Sequence, residues 1–226
     1  MNKISSGTLY IVATPIGNPE DITLRAIKVL QSVNAVLCEE YKQGSRIMKS
    51  LGVSPQEIIP VNEHNEKEQI PIIIERLLQQ GHSFALVSDC GTPVFSDPGY
   101  LLIDQVSKLG IPVIPIPGPS SLMAALSILD VNLPQFIFGG FLPRQPDIRR
   151  RELSRLKKFN MPIILMDTPY RLQQLMDDIQ KIFGPTQRIT LTCDLTLPNE
   201  KIFRGNVSEI KKQVINKKCE FIIIIH

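Results

Sequence analysis

Read from the N-terminus, the chain alternates short apolar runs with stretches in which apolar residues recur at the helical period. The runs Thr8–Ala13, Ala35–Cys38, Ile58–Val61, Phe84–Ser88 and Val113–Ile116 carry no polar/apolar alternation. They predict strands buried on both faces of a sheet. Between them lie predicted helices at Asp21–Val33, Ser45–Leu51, Glu66–Gln80 and Gly99–Leu109. Within the first of these, Ile22, Ala26, Ile27, Val29, Leu30 and Val33 fall on one helical face. Regular strand–helix alternation points to an open, mainly parallel α/β sheet.

The pattern changes after Pro117-Gly118-Pro119-Ser120-Ser121. An Ala/Leu-rich helix is predicted over Leu122–Leu129, then strands at Phe136–Phe141, Pro162–Met166, Ile189–Cys193, Lys201–Phe203 and Glu220–Ile225. Helices are predicted at Arg149–Lys158, Pro169–Phe183 and Val207–Ile215. The closer strand spacing toward the C-terminus suggests a mixed sheet. The expected organisation is two α/β domains, 1–116 with a mainly parallel sheet and 117–226 with a mixed one.

Composition narrows the class. A chain of 226 residues with 43% hydrophobic residues and a net charge of +3 is ordinary for a globular protein. The longest apolar runs, such as Phe221–Ile225, are too short to span a bilayer. The N-terminus lacks the charged start and long apolar stretch of a signal peptide. A cytoplasmic protein without membrane contact is expected. Cys38, Cys90, Cys193 and Cys219 form no C-x-x-C and sit near no histidine pair, so they read as buried free thiols, with no metal.

Candidate chemistry gathers where predicted strands end, as ligands do in open α/β sheets. Ala13-Thr14-Pro15-Ile16-Gly17-Asn18 follows the first strand; it is neither G-x-G-x-x-G nor a P-loop, and Asp21 could simply cap the next helix. Ser88-Asp89-Cys90-Gly91-Thr92-Pro93-Val94 follows the buried strand at 84–88, with Asp97 a natural N-cap for the helix after it. Asp89 at a strand end needs a partner, which a ligand hydroxyl or ammonium would supply. Glu39 and Glu40 end the second strand; His64 follows the third. Ser120 and Ser121 either cap a helix or face a ligand. Arg144, Arg149, Arg150, Arg151, Arg155, Lys157 and Lys158 crowd fifteen residues, as a solvated helix face or a phosphate-binding one.

The order of Thr8–Asn18, Glu63-His64-Asn65-Glu66, Ser88–Gly99, Pro117–Ser121 and Gly140-Phe141-Leu142-Pro143-Arg144 resembles the ribosomal RNA small-subunit methyltransferase I family of the tetrapyrrole methylase superfamily. The resemblance covers nearly the whole chain. It implies two α/β domains with S-adenosylmethionine in a cleft between them, a homodimer, and 2′-O-methylation of a cytidine ribose in small-subunit ribosomal RNA. It places Pro15, Asp89, Cys90, Gly91, Thr92, Val94, Ser120, Ser121, Asp167 and Thr168 against the cofactor. Glu39, His64, Arg144, Arg149 and Arg150 are the expected RNA contacts, and Glu40 and Asp89 the expected catalytic carboxylates. Departures fall on the acceptor side. Glu39-Glu40-Tyr41-Lys42 stands where the family has Glu-Asp-Thr-Arg, and Met166-Asp167-Thr168-Pro169-Tyr170-Arg171 where it has Tyr-Glu-Ser-Pro-His-Arg. They keep two alternatives open, a small-molecule (tetrapyrrole-like) acceptor and a divergent, non-catalytic cofactor- or RNA-binding paralogue.

Overall fold

A computed structural model describes residues 6–95 and 98–226. The chain forms two compact units, divided between Ser120 and Ser121.

The first unit holds a five-stranded parallel sheet in the order β3-β2-β4-β1-β5. Its strands are β1 (Leu9–Val12), β2 (Ala35–Cys38), β3 (Ile58–Pro60), β4 (Phe84–Val87) and β5 (Val113–Ile116). The helices α1 (Leu24–Ser32) and α2 (Tyr41–Ser50) cover one face, where Leu30 and Met48 meet Val12, Val36 and Val87. On the other face α3 (Glu66–Gln79) and α4 (Tyr100–Lys108) bring Ile70, Ile73, Leu77 and Leu102 onto Leu9, Leu37, Phe84 and Leu86. Burial on both faces is why these strands show no alternation.

Two helix starts in this first unit differ from expectation. Asp21 does not cap α1: Asn18 caps a short 3-10 turn over Pro19–Asp21, Ile22 is extended, and the Thr23 hydroxyl then accepts from the Ala26 amide at 3.1 Å. Helix α2 begins at Tyr41, not Ser45. It runs through Gly44, where a Cβ would lie 2.5 Å from Cys38 Sγ, so the bare backbone lets the helix press against β2. Asp97, expected as an N-cap, lies outside the described residues.

The second unit contains α5 (Ser121–Ser127), α6 (Pro146–Lys157), α7 (Leu172–Phe183) and α8 (Val207–Gln213). Its strands β6 (Ile137–Phe141), β7 (Ile163–Asp167), β8 (Arg188–Cys193), β9 (Lys201–Asn206) and β10 (Phe221–Ile225) run in the order β6-β7-β10-β8-β9. Only β6 and β7 are parallel, so the sheet is mixed. The helices α6, α7 and α8 cover one face; Ala125 of α5 packs on Ile164, Ile222 and Ile224 on the other. Among the described residues no helix is long and apolar enough to cross a membrane.

Candidate active site

Three turns leave the carboxyl ends of the neighbouring strands β4, β1 and β5, and hydrogen bonds join them into one rim. The Thr14 amide donates to the Gly91 carbonyl at 2.9 Å, and the Gly91 amide returns a bond to Thr14 at 3.1 Å. The fully buried Thr14 hydroxyl donates to the Ser88 carbonyl at 3.2 Å. The Ser88 hydroxyl curls back onto the carbonyl of Cys90 at 3.0 Å. The Thr92 hydroxyl then reaches the Pro119 carbonyl at 3.2 Å, tying in the third turn. Gly91 adopts φ +76°, a conformation costly for residues with a Cβ. Gly118 lets the third turn lie on the first, since a Cβ there would stand 3.1 Å from that of Ala13.

Beside this rim, Pro15, Ile16, Gln43, Ile47, Asp89 and Cys90 line a depression of about 250 Å³. Gln43 and Ile47, one turn apart on α2, carry no sequence signal of a site: their spacing marks a helix face, but nothing in it says which turn the face meets. Burial, and then the negative charge of Glu40, raise the Asp89 carboxyl above its ordinary pKa. Cys38, behind this pair, is pushed up to about 11 by burial, with Asp89 adding to the effect, so its thiol stays protonated. Cys90 corrects the expectation of four buried thiols: it sits on the turn and is exposed, while Cys38, Cys193 and Cys219 are buried.

Val94 keeps the same turn in an unusual shape, with φ +74° at a β-branched residue. Glu39 and Glu40 follow β2, and the Glu39 carbonyl accepts from Asn62 Nδ2 at 3.3 Å. His64 is exposed beyond β3, within 3.5 Å of Glu63, on a turn that Asn62 and Asn65 close by bonding each other's backbone. Glu66 does more than favour a helix start: it is buried, and its carboxylate accepts from the Leu102 amide in α4 at 3.3 Å. Thus Pro15, Glu39, Glu40, His64, Asp89, Cys90, Gly91, Thr92, Val94 and Ser120 share the carboxyl end of the first sheet.

The remaining candidates belong to the second unit. Ser121 opens α5. Asp167 ends β7, its side chain inaccessible; Oδ1 accepts from the Thr168 amide at 2.8 Å and pairs with Arg171 at 3.1 Å. Burial outweighs these contacts and raises its pKa. Arg171 also donates to the carbonyls of Leu142 and Pro143, at 3.0 and 2.9 Å, and Arg149 donates to that of Arg144 at 3.1 Å. Two guanidiniums therefore hold the turn that carries Arg144. Arg149 was expected to meet RNA. Instead it is 2% exposed, with Nε on Asp178 Oδ2 at 2.7 Å. Arg150 is shared by Asp147 and Asp178.

The family model for Tetrapyrrole (Corrin/Porphyrin) Methylases matches residues 8–211. The ribosomal RNA small subunit methyltransferase I of Thermotoga maritima is 40% identical over 212 residues, 94% of each chain. That of Xylella fastidiosa is 37% identical over 223 residues, 97% of this chain and 81% of its own. The chain belongs to the ribosomal RNA small subunit methyltransferase I family. Membership in the methyltransferase I family makes it an S-adenosylmethionine-dependent methyltransferase. Solved structures agree on the fold. A cobalt precorrin-4 methyltransferase superposes with a TM-score of 0.69 at 20% identity, covering 96% of this chain and 94% of that one. A uroporphyrin-III C-methyltransferase from Thermus thermophilus, complexed with S-adenosylhomocysteine, gives 0.65 at 16% identity, covering 97% of both.

Proposed function

We propose that the chain transfers the methyl group of S-adenosylmethionine to small-subunit ribosomal RNA, at the ribose 2′-hydroxyl of a cytidine. The observation that carries this reading is the bonded rim of three turns with an acidic group of raised proton affinity beside it. The residues suit the cofactor. Bare backbone at Gly91 and Gly118 and the flat edge of Pro15 leave room for close approach, and Asp89 offers a carboxylate to a hydroxyl or ammonium. When bound, the cofactor supplies a methyl carbon already activated by its positive sulfur.

The chain's own work is alignment and proton removal. A ribose hydroxyl is a weak nucleophile near neutral pH, so a carboxylate that accepts its proton lowers the barrier. Asp89 takes that role, and the charge of Glu40 makes it the stronger base. Glu39, His64 and Arg144 provide contacts to the RNA.

The test follows labelled methyl from the cofactor onto small subunits that lack the modification. Asp89→Asn and Glu40→Gln are timed in single turnovers, with calorimetry of S-adenosylhomocysteine alongside. Slowed transfer in both variants is the expected result, with S-adenosylhomocysteine affinity retained in Glu40→Gln. Unchanged rates in both variants remove the carboxylates from the mechanism. Cofactor binding without transfer to RNA overturns the acceptor.

A further inference from the structure

The fifteen residues from Arg144 to Lys158 carry seven cations against two acids, Asp147 and Glu152. The structure divides those cations sharply. Arg149 lies inside, bound to Asp178. Arg150 is held by Asp147 and Asp178. Arg155 grips Glu152 with Nη2–Oε1 at 2.6 Å and lies over the Phe159 ring. Lys157 donates to the Ile182 carbonyl at 2.7 Å and sits over Phe183. Arg144, Arg151 and Lys158 are left, all three exposed. Arg144 lies ahead of the helix, near enough to Asp167 for its charge to act on that carboxyl. Arg151 and Lys158 belong to the helix and its C-cap, and among the described residues their side chains make no ion pair or hydrogen bond.

They are not scattered. Arg151, Ser154, Arg155 and Lys158 follow one another at the spacing of a single helix face, opposite the buried Arg149, Leu153 and Leu156. With Asp147 and Arg150 they line a shallow depression of about 430 Å³. Every acid that could neutralise the face is already committed to another arginine. No aromatic side chain lines the depression, so it lacks the anchors of a protein interface. Two uncommitted cations two turns apart on a rigid helix suit a run of phosphates.

We infer that the Arg151–Lys158 face of α6 binds the phosphate backbone of the substrate RNA. The inference rests on the RNA reading above and names the surface that reading leaves open. It also reassigns the basic run: Arg149 shapes the unit, and Arg151 and Lys158 meet the polyanion. Contact of this kind carries affinity and salt dependence, not sequence choice.

The double variant Arg151→Gln/Lys158→Gln tests it, with Arg25→Gln/Lys28→Gln on the exposed side of α1 as a charge-matched control. Binding to a fragment of small-subunit RNA is titrated over a range of salt concentrations, and methylation kinetics are measured at saturating cofactor. The slope of log affinity against log salt is expected to fall by about 1.4, at roughly 0.7 per lost contact on single-stranded RNA. KM for RNA rises severalfold, while kcat and S-adenosylhomocysteine affinity stay at wild-type values. A slope and affinity equal to wild type overturn the assignment, and so does an equal loss in Arg25→Gln/Lys28→Gln. A wild-type protein that methylates no RNA defeats the functional reading instead, because the salt titration still reports on the helix face by itself.

Discussion

The two units organise their strand ends by opposite means. The first uses backbone and hydroxyls: Thr14, Ser88, Gly91 and Thr92 bond one turn to the next, and the charged groups stay at the margin. The second uses buried charge: Arg149–Asp178 and Arg171–Asp167 pin the turn from Leu142 to Arg144 through its carbonyls. Backbone bonds give a fixed frame that tolerates no bulk. Buried ion pairs give an anchor that tolerates no missing partner.

The largest effect should come from breaking the anchor. Asp178→Leu strands Arg149 in the interior and should cost about 3–5 kcal/mol in a denaturant titration. The double change Arg149→Met/Asp178→Leu removes both charges and should recover most of that loss. If the double variant is as unstable as the single, burial of charge is not the cause. Next is the frame. Gly91→Ala forces a Cβ into the left-handed region, 3.3 Å from the Ile16 methyl, and should cost about 1–2 kcal/mol along with cofactor affinity. An unchanged melting profile would show that the turn relaxes freely.

Subtler is the pH dependence. Asp89 must be ionised to accept a proton, so the transfer rate should climb with pH through a midpoint above the ordinary carboxylate value. Glu40→Gln removes the negative neighbour, makes ionisation easier, and should move that midpoint to lower pH. A profile that stays in place separates the two groups. The smallest effect is a count of thiols. Iodoacetamide on the native protein should label Cys90 alone, as read by mass spectrometry, and S-adenosylhomocysteine should slow the labelling.

The same contrast explains what could be read in advance. The strands were plain because burial on both faces requires continuous apolar runs, and the rim was visible because its geometry demands Gly, Pro and small hydroxyl residues in short order. Helix α2 was foreseen too short because Gly44 argues against a helix until Cys38 is seen beneath it. Asp21 misled because Thr23 and Asn18 were equally good caps a few residues away. The fate of Arg149 was hidden for a different reason. Its partner lies 29 residues on, in another helix, and a basic run looks the same whether its members face water or carboxylates.

The reciprocal bond between Thr14 and Gly91 has a mechanical consequence. It works like a rivet through two straps: neither turn can swing without carrying the other, so ligand capture must move both together or neither. Amide exchange at these two positions should therefore keep a common rhythm, slowing by the same factor when the methyl donor is added.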